Sequence, residues 1–100
     1  MKVKRLGTFG IDSGQFIICD PAYLDTWKDN EFSPDDSVVG EFSYNGACCT
    51  SLMGGGSLYN AIGARLAVVG RTGDGEYEVF AHIDKEGRTR KITVEFGESE

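Results

Sequence analysis

The sequence predicts a mainly β protein, in which residues 1–100 form a single domain built as a small barrel or a two-layer sandwich. We expect about six strands and one or two short helices. Two observations support this. The apolar residues fall in short alternating or continuous runs of strand length, and the runs are separated by connections that hold most of the 14 glycines. A third is that 40% of the residues are hydrophobic, which suffices for a core in a chain of ordinary domain length.

The clearest prediction is a C-terminal hairpin. Residues 76–83 and 90–96 each alternate between apolar and polar side chains, which is typical of strands with one buried face. Residues 84–87 form a predicted turn, because Asp favours its first position and Gly its last. Matching the apolar faces across this turn predicts the pairs Val79–Ile92 and Tyr77–Val94.

Four further strands are predicted upstream. Residues 64–70 and 15–19 are nearly continuous in apolar side chains, as expected of strands that are central in a sheet. Residues 3–9 and 38–44 are weaker strand candidates. The three glycines at 54–56 are interpreted as a flexible loop.

Helical content is expected to be small. Asp25 is a candidate N-cap for a turn over residues 26–29, and residues 46–53 are a second candidate. Between the strands, residues 21–36 form a long excursion that contains Tyr23, Leu24, Trp27 and Phe32. These side chains either close one end of the fold, which is the favoured interpretation, or form a binding lip together with Tyr44 and Tyr59.

Charge and composition exclude several function classes. The net charge is −6 and the pI about 4.7, which argues against nucleic acid and anionic membranes as partners. No apolar run has the length of a membrane helix or a signal peptide. The three cysteines, Cys19, Cys48 and Cys49, are expected to be free thiols, so the predicted location is the cytoplasm.

No catalytic or cofactor motif is present. The phosphate-binding and dinucleotide-binding glycine patterns are missing, and the cysteines and the single His82 lack the spacing of a zinc site. Aspartates are numerous, but no calcium-loop pattern occurs, and most lie where turns favour Asp. We therefore expect no cofactor and assign no metal ligand.

Three stretches, taken together, resemble an uncharacterised family of small bacterial and phage proteins. They are Asp-Ser-Gly-Gln at 12–15 followed by Asp-Pro-Ala-Tyr at 20–23, residues 44–48, and residues 72–79. The family pattern has Cys where this chain has Ala22, which argues against an essential thiol there. The resemblance implies a β-rich domain and a bacterial or phage source, but no activity. It adds weight to Asp12, Gln15, Asp20, Tyr23, Asp74 and Tyr77, as site residues or as fold determinants.

The functional expectation is a non-catalytic cytoplasmic module that binds a protein or a small polar ligand. The candidate ligand-binding residues are Asp12, Gln15, Asp20, Tyr23, Trp27 and Asp74. The alternative is a small hydrolase in which Asp12, Asp20 and Asp74 converge, with or without a divalent cation. A structural subunit of a larger assembly is a third hypothesis, and self-association is left open.

Overall fold

A computed structural model describes residues 1–34 and 38–96, and within them the chain is mainly β, as predicted. The described strands form two separate three-stranded sheets and do not close into a barrel. The elements in chain order are β1 (Lys2–Ile11), β2 (Gln15–Ile18), a 3-10 helix (Pro21–Thr26), α1 (Tyr44–Ser51), β3 (Gly55–Tyr59), β4 (Arg65–Gly70), β5 (Gly75–Ile83) and β6 (Thr89–Glu95).

The first compact unit consists of residues 1–12 and 74–100 and contains the sheet β1-β5-β6. Both pairings are antiparallel, and β5 is the central strand. Its odd-numbered side chains form the apolar face, on which Ala81 is 1% exposed. The alternation in residues 76–83 therefore predicted the strand and its apolar face, but Ala81 is the one residue of that face that is buried, and Tyr77, Val79 and Ile83 are half-buried.

The predicted register of the C-terminal hairpin is wrong by two residues. Val79 lies opposite Val94 and Ala81 lies opposite Ile92. One residue is added at the turn, where the Asp84 amide donates to the Arg88 carbonyl, and another by an irregularity between His82 and Ile83. A shift of two residues keeps every side chain on its face, so the apolar pattern could not distinguish the two registers.

The second compact unit, residues 13–73, contains the sheet β2-β4-β3 and both helices. Its core combines side chains from α1, β3, β4 and the segment before α1, namely Phe42, Ala47, Leu58, Leu66 and Val68. The Ser43 hydroxyl caps α1 by accepting a hydrogen bond from the Gly46 amide at 2.9 Å. Gly46 is in close contact with the preceding segment: a Cβ at this position would lie 2.0 Å from the Glu41 carbonyl oxygen.

Two strand predictions in this unit are wrong. Residues 38–44 form no strand and contribute only isolated bridges, whereas two of the three glycines at 54–56, expected in a flexible loop, begin the strand Gly55–Tyr59. A side chain at Gly55 would place its Cβ 2.5 Å from the Val68 carbonyl oxygen, so the glycine permits β3 to approach β4. β2 lies at one end of its sheet rather than in the centre.

The excursion that follows β2 begins with the 3-10 helix, and the N-cap of this helix is not the predicted residue. Asp20, rather than Asp25, is the cap, and its side chain accepts a hydrogen bond from the Ala22 amide at 2.9 Å. Pro21 occupies the first turn, where its missing N–H costs nothing. Asp35 and Asp36, at the end of the predicted excursion, lie outside the described residues.

Trp27, within the excursion, packs against the core of the second unit. Two side-chain amides then hold the following residues against α1: Asn30 Oδ1 accepts from the Asn45 amide at 2.7 Å, and Asn45 Oδ1 accepts from the Ser33 amide at 2.8 Å. The packing of Trp27 agrees with its interpretation as a group that closes the fold, whereas Tyr23, Leu24 and Phe32 are exposed and do not fill that role. Neither helix within the described residues has the length and apolar character required to cross a membrane.

Candidate functional site

The second unit contains a concave pocket of about 370 Å³. Its floor includes Phe42, which is 4% exposed and belongs to the core. The Trp27 ring, which does not line the pocket, contacts Phe42 edge to face, with 5.7 Å between ring centroids. The residues that line the pocket are Thr26, Lys28, Glu41, Phe42, Tyr59, Asn60, Ala61 and Ile62. Such a volume lies within the range of ligand pockets in proteins.

One side of the pocket is the turn between β3 and β4, which Asn60 organises. Its side-chain Oδ1 accepts hydrogen bonds from the amides of Ile62 at 3.1 Å and Ala64 at 2.9 Å. The Asn60 amide donates to the Ala64 carbonyl, and the Gly63 amide donates to the Asn60 carbonyl. Gly63 has a φ of +91°, a conformation that favours glycine.

The turn between β5 and β6 has the same construction, with Asp84 in the place of Asn60. Asp84 Oδ1 accepts from the amides of Glu86 at 3.0 Å and Arg88 at 2.9 Å, and Gly87 has a φ of +83°. The geometry thus specifies an Asx residue first and a glycine fourth, and leaves the second and third positions free. In the β5–β6 turn these positions hold Lys85 and Glu86, as expected of a solvent-exposed turn.

In the β3–β4 turn the same two positions hold Ala61 and Ile62. Ile62 is 80% exposed, an unusual position for a large aliphatic side chain at the tip of a turn. Because Glu86 occupies the equivalent position in the other turn, the turn geometry does not require an apolar residue there. The neighbouring Tyr59 side chain is 60% exposed and lines the same pocket. The two residues present exposed apolar surface at the mouth of a pocket whose floor is also apolar.

Polar groups at the rim are paired with one another. Asn60 Nδ2 donates to Thr26 Oγ1 at 2.8 Å, which joins the β3–β4 turn to the end of the 3-10 helix. Lys28 Nζ lies 3.8 Å from Glu41 Oε1. The Tyr59 amide donates to the Gly40 carbonyl, so β3 also holds the segment that carries Glu41. These contacts form the walls of the pocket before any ligand binds.

None of the six residues predicted as ligand-binding lines this pocket. In the second unit, Asp20 caps the 3-10 helix, and Tyr23 lies on that helix with 39% of its side chain exposed. Trp27 lies between the lining residues Thr26 and Lys28 in the chain, and its ring contacts Phe42 at the pocket floor. Tyr44 and Tyr59 were the two further aromatic residues assigned to a binding lip, and of these Tyr59 lines the pocket and Tyr44 does not.

Gln15 is the first residue of β2, and its side chain is buried against α1. Its Nε2 donates to Cys48 Sγ at 3.2 Å, and its Oε1 accepts a hydrogen bond from Ser51. Tyr44 lies one helical turn before Cys48, and its hydrogen bond with that thiol raises the pKa of the Tyr44 hydroxyl. These polar contacts join β2 to α1, which gives Gln15 a structural role.

Asp12 and Asp74 belong to the first unit. Asp12 is exposed and lines a second depression of about 420 Å³ together with Gly10, Ile11, Gly75 and Glu76. The backbone carbonyl of Asp74 accepts a hydrogen bond from the Tyr77 hydroxyl at 3.2 Å. This depression has few apolar groups, because two of its five residues are glycines and two are acids.

The described residues contain no group of three or more His, Cys, Asp or Glu side chains placed to hold a metal ion. The thiols are unpaired, and burial, together with the charge of Asp20, raises the pKa of the Cys19 thiol. A raised pKa lowers the thiolate fraction, so Cys19 is less reactive than a thiol of ordinary pKa.

Comparisons with protein-family models, curated proteins and solved structures found no match to this chain. Function is therefore argued from the pocket itself. Sequence analysis missed the β3–β4 turn, although a signal was present. Asn60 and Gly63 have the same spacing as Asp84 and Gly87, and the two residues between them are apolar.

Proposed function

We propose that this chain is a non-catalytic binding module, and that the pocket of the second unit holds an apolar side chain of a protein partner. The observation that carries the proposal is the exposed Ile62 beside an apolar floor. The β5–β6 turn supplies an internal comparison, since its equivalent residue is Glu86 and that turn forms equally well. Contiguous exposed apolar groups on a soluble surface are typical of interaction sites.

A protein partner is favoured over a small polar ligand by the energetics of the pocket. Burial of one aliphatic side chain contributes about 1.5–3 kcal/mol. A dissociation constant of about 1 mM already corresponds to about 4 kcal/mol. One side chain in this pocket is thus too little for firm binding, and contacts around the rim must supply the remainder. The cytoplasmic location and the bacterial or phage source stay predictions of the sequence.

The hydrolase hypothesis needs Asp12, Asp20 and Asp74 to act together on a substrate. Asp20 is engaged with the Ala22 amide as a helix cap. Since no arrangement of the described residues favours catalysis, we propose no second function.

The proposal is tested by titrating the ¹⁵N-labelled protein with N-acetyl-leucinamide and following the backbone amide signals. N-acetyl-glycinamide, which lacks the side chain, is the control probe. We expect the leucine probe to shift the amides of Tyr59, Ala61 and Ile62 in the millimolar range, and the glycine probe to leave them unchanged. Equal shifts with both probes, or leucine-dependent shifts confined to other residues, contradict the proposal.

A variant pair separates the pocket from general surface hydrophobicity. Ile62→Glu gives the β3–β4 turn the residue that the β5–β6 turn carries, so the fold should tolerate it. Leu52→Glu changes a second exposed aliphatic residue, 63% exposed, that does not line the pocket. We expect the first variant to weaken binding of the leucine probe at least about fivefold and the second to leave it unchanged, because one apolar contact is worth roughly 1 kcal/mol or more. Equal effects of the two variants contradict a site at Ile62.

A further inference from the structure

We infer that the occupant of the pocket is a positively charged segment of a partner protein, in which an apolar side chain is flanked by Lys or Arg. This inference rests on the proposed function and adds the chemistry of the partner to it. It combines two features of the second unit: the apolar floor of the pocket and the strongly acidic segment that supplies part of its wall.

The acidic charge of the chain is concentrated in one segment. Residues 20–41 contain seven acidic residues and one basic residue, so this segment carries a net charge of −6, equal to that of the whole chain. The rest of the chain is therefore balanced. The acidic residues of the segment are Asp20, Asp25, Asp29, Glu31, Asp35, Asp36 and Glu41, and its single basic residue is Lys28.

The segment contributes three residues to the pocket lining, Thr26, Lys28 and Glu41, and acidic residues lie next to the first two in the chain. Asp25 directly precedes the lining residue Thr26, and Asp29 directly follows the lining residue Lys28. Both aspartates are exposed. Lys28 forms its ion pair with Glu41. Among the described residues, no Lys or Arg forms an ion pair with Asp25 or Asp29, so the negative charge beside the pocket is not neutralised within the chain.

The apolar floor, together with the exposed Asp25 and Asp29 that neighbour lining residues in the chain, sets two chemical requirements on the occupant. A polypeptide meets both, because neighbouring residues of an extended segment can place an apolar side chain in the pocket and cationic side chains at the rim. A small polar ligand would leave the floor unfilled, and an acidic partner would be repelled by the rim. Attraction between opposite charges also raises the rate of association.

The test uses four probe peptides with the full chain, in NMR titrations at low salt, at about 0.01 M ionic strength, where the Debye length is about 30 Å. The probes are Ac-Lys-Lys-Leu-Lys-Lys-NH₂, the same peptide with Gly in place of Leu, Ac-Ser-Ser-Leu-Ser-Ser-NH₂ and Ac-Glu-Glu-Leu-Glu-Glu-NH₂. We expect the lysine–leucine peptide to bind at the amides of Ala61 and Ile62 about tenfold more tightly than the serine peptide. At about 0.15 M, where the Debye length is about 8 Å, this preference should shrink to a few-fold.

The double variant Asp25→Asn/Asp29→Asn removes the rim charge without changing side-chain size. We expect it to weaken the lysine–leucine peptide about fivefold at low salt and to leave the serine peptide unchanged. The matched control is Glu76→Gln/Glu95→Gln, which removes two exposed charges from the first unit. The control should leave the affinity within a factor of two.

The outcomes distinguish the two proposals. If the serine peptide binds the pocket as tightly as the lysine–leucine peptide at low salt, the pocket functions as proposed but the inference of a basic partner is wrong. The inference is also wrong if the lysine–glycine peptide binds as tightly as the lysine–leucine peptide, because charge alone then accounts for binding. If no leucine-containing peptide shifts the amides of Ala61 and Ile62, the pocket is not a binding site and both proposals are refuted.

Discussion

Replacement of Gly46 by alanine should destabilise the protein and disturb the pocket together. Gly46 lies in α1, where alanine normally stabilises a helix by about 1 kcal/mol relative to glycine. Here the added Cβ would lie 2.0 Å from the carbonyl oxygen of Glu41, a pocket residue, and 2.8 Å from its carbonyl carbon. The added Cβ would collide with a backbone carbonyl group, so no change of side-chain rotamer relieves the contact.

The structure sets the scale of the effect. Ordinary contact at a Cβ begins at 3.4 Å, so α1 and the Glu41 segment must separate by about 1.4 Å, the difference between 3.4 and 2.0 Å. Overpacking of this kind costs about 1–3 kcal/mol, and the Ser43 cap on the Gly46 amide, worth about 1 kcal/mol, is weakened as well. After the gain in helix propensity of about 1 kcal/mol, we expect a net loss of about 1–3 kcal/mol. The thermal midpoint should fall by at least about 4 °C.

Urea denaturation followed by far-UV circular dichroism measures the free energy of unfolding of the variant. The control is Gly10→Ala, because the nearest atom to a Cβ at Gly10 is the Gly75 carbonyl oxygen at 4.0 Å. We expect that substitution to be neutral or to stabilise by up to about 1 kcal/mol, through the reduced entropy of the unfolded chain. Amide signals of Tyr59 and Ile62 should shift in Gly46→Ala and remain in place in Gly10→Ala.

A Gly46→Ala variant as stable as the parent, or more stable, would refute this reasoning. Such a result would mean that the Glu41 segment moves away at no cost and that helix propensity dominates. The wall of the pocket would then not be fixed by its contact with α1.

The remaining predictions concern the stability of each unit. Hydrogen bonds from the Arg88 amide and from Arg90 hold the pKa of Asp84 below its ordinary value of 3.8. A depressed folded-state pKa stabilises the protein above the unfolded-state pKa, and this contribution is lost as the pH falls through the folded value. The difference in stability between the parent and Asp84→Asn should thus be constant above about pH 5 and shrink below pH 3.8. Thermal unfolding of both proteins at a series of pH values measures this difference. A difference that stays constant down to about pH 2 would contradict the prediction. Leu58 is fully buried at 0% exposure, and Leu58→Ala should cost about 2–5 kcal/mol in urea denaturation, whereas Leu52→Ala should change stability by less than about 0.5 kcal/mol. Equal losses from the two leucines would show that the assigned core is wrong.

Local chemistry made much of the fold predictable. Five of the six predicted strands are present, because apolar alternation and β-branched runs depend on the residues themselves. The turn at residues 84–87 was also predicted, since Asp and Gly suit their positions for local reasons. The strand at Gly55–Tyr59 was missed, because its glycines are required by the approach of β4, which is distant in sequence.

The candidate site was much less predictable. Sequence analysis favoured aspartates and aromatic residues, and several of these have local or core roles: Asp20 caps a helix, Gln15 joins β2 to α1, and Trp27 supports Phe42. The pocket is made instead from three segments, residues 26–28, 41–42 and 59–62, which lie 13 and 17 residues apart in the chain. The apolar residues Ala61 and Ile62 stand out only when the β3–β4 turn is compared with the β5–β6 turn.

The sequence by itself determined the β class, the positions of most strands, the Asx-to-Gly turn at residues 84–87 and the concentration of acidic charge in residues 20–41. All of these depend on residue type and spacing within a short stretch. Only the tertiary structure decided the register of the C-terminal hairpin, the pairing of β3 with β4 and the lining of the pocket. These depend on contacts between distant segments, where a shift of two residues or a glycine that allows close approach leaves no distinct mark on the local pattern.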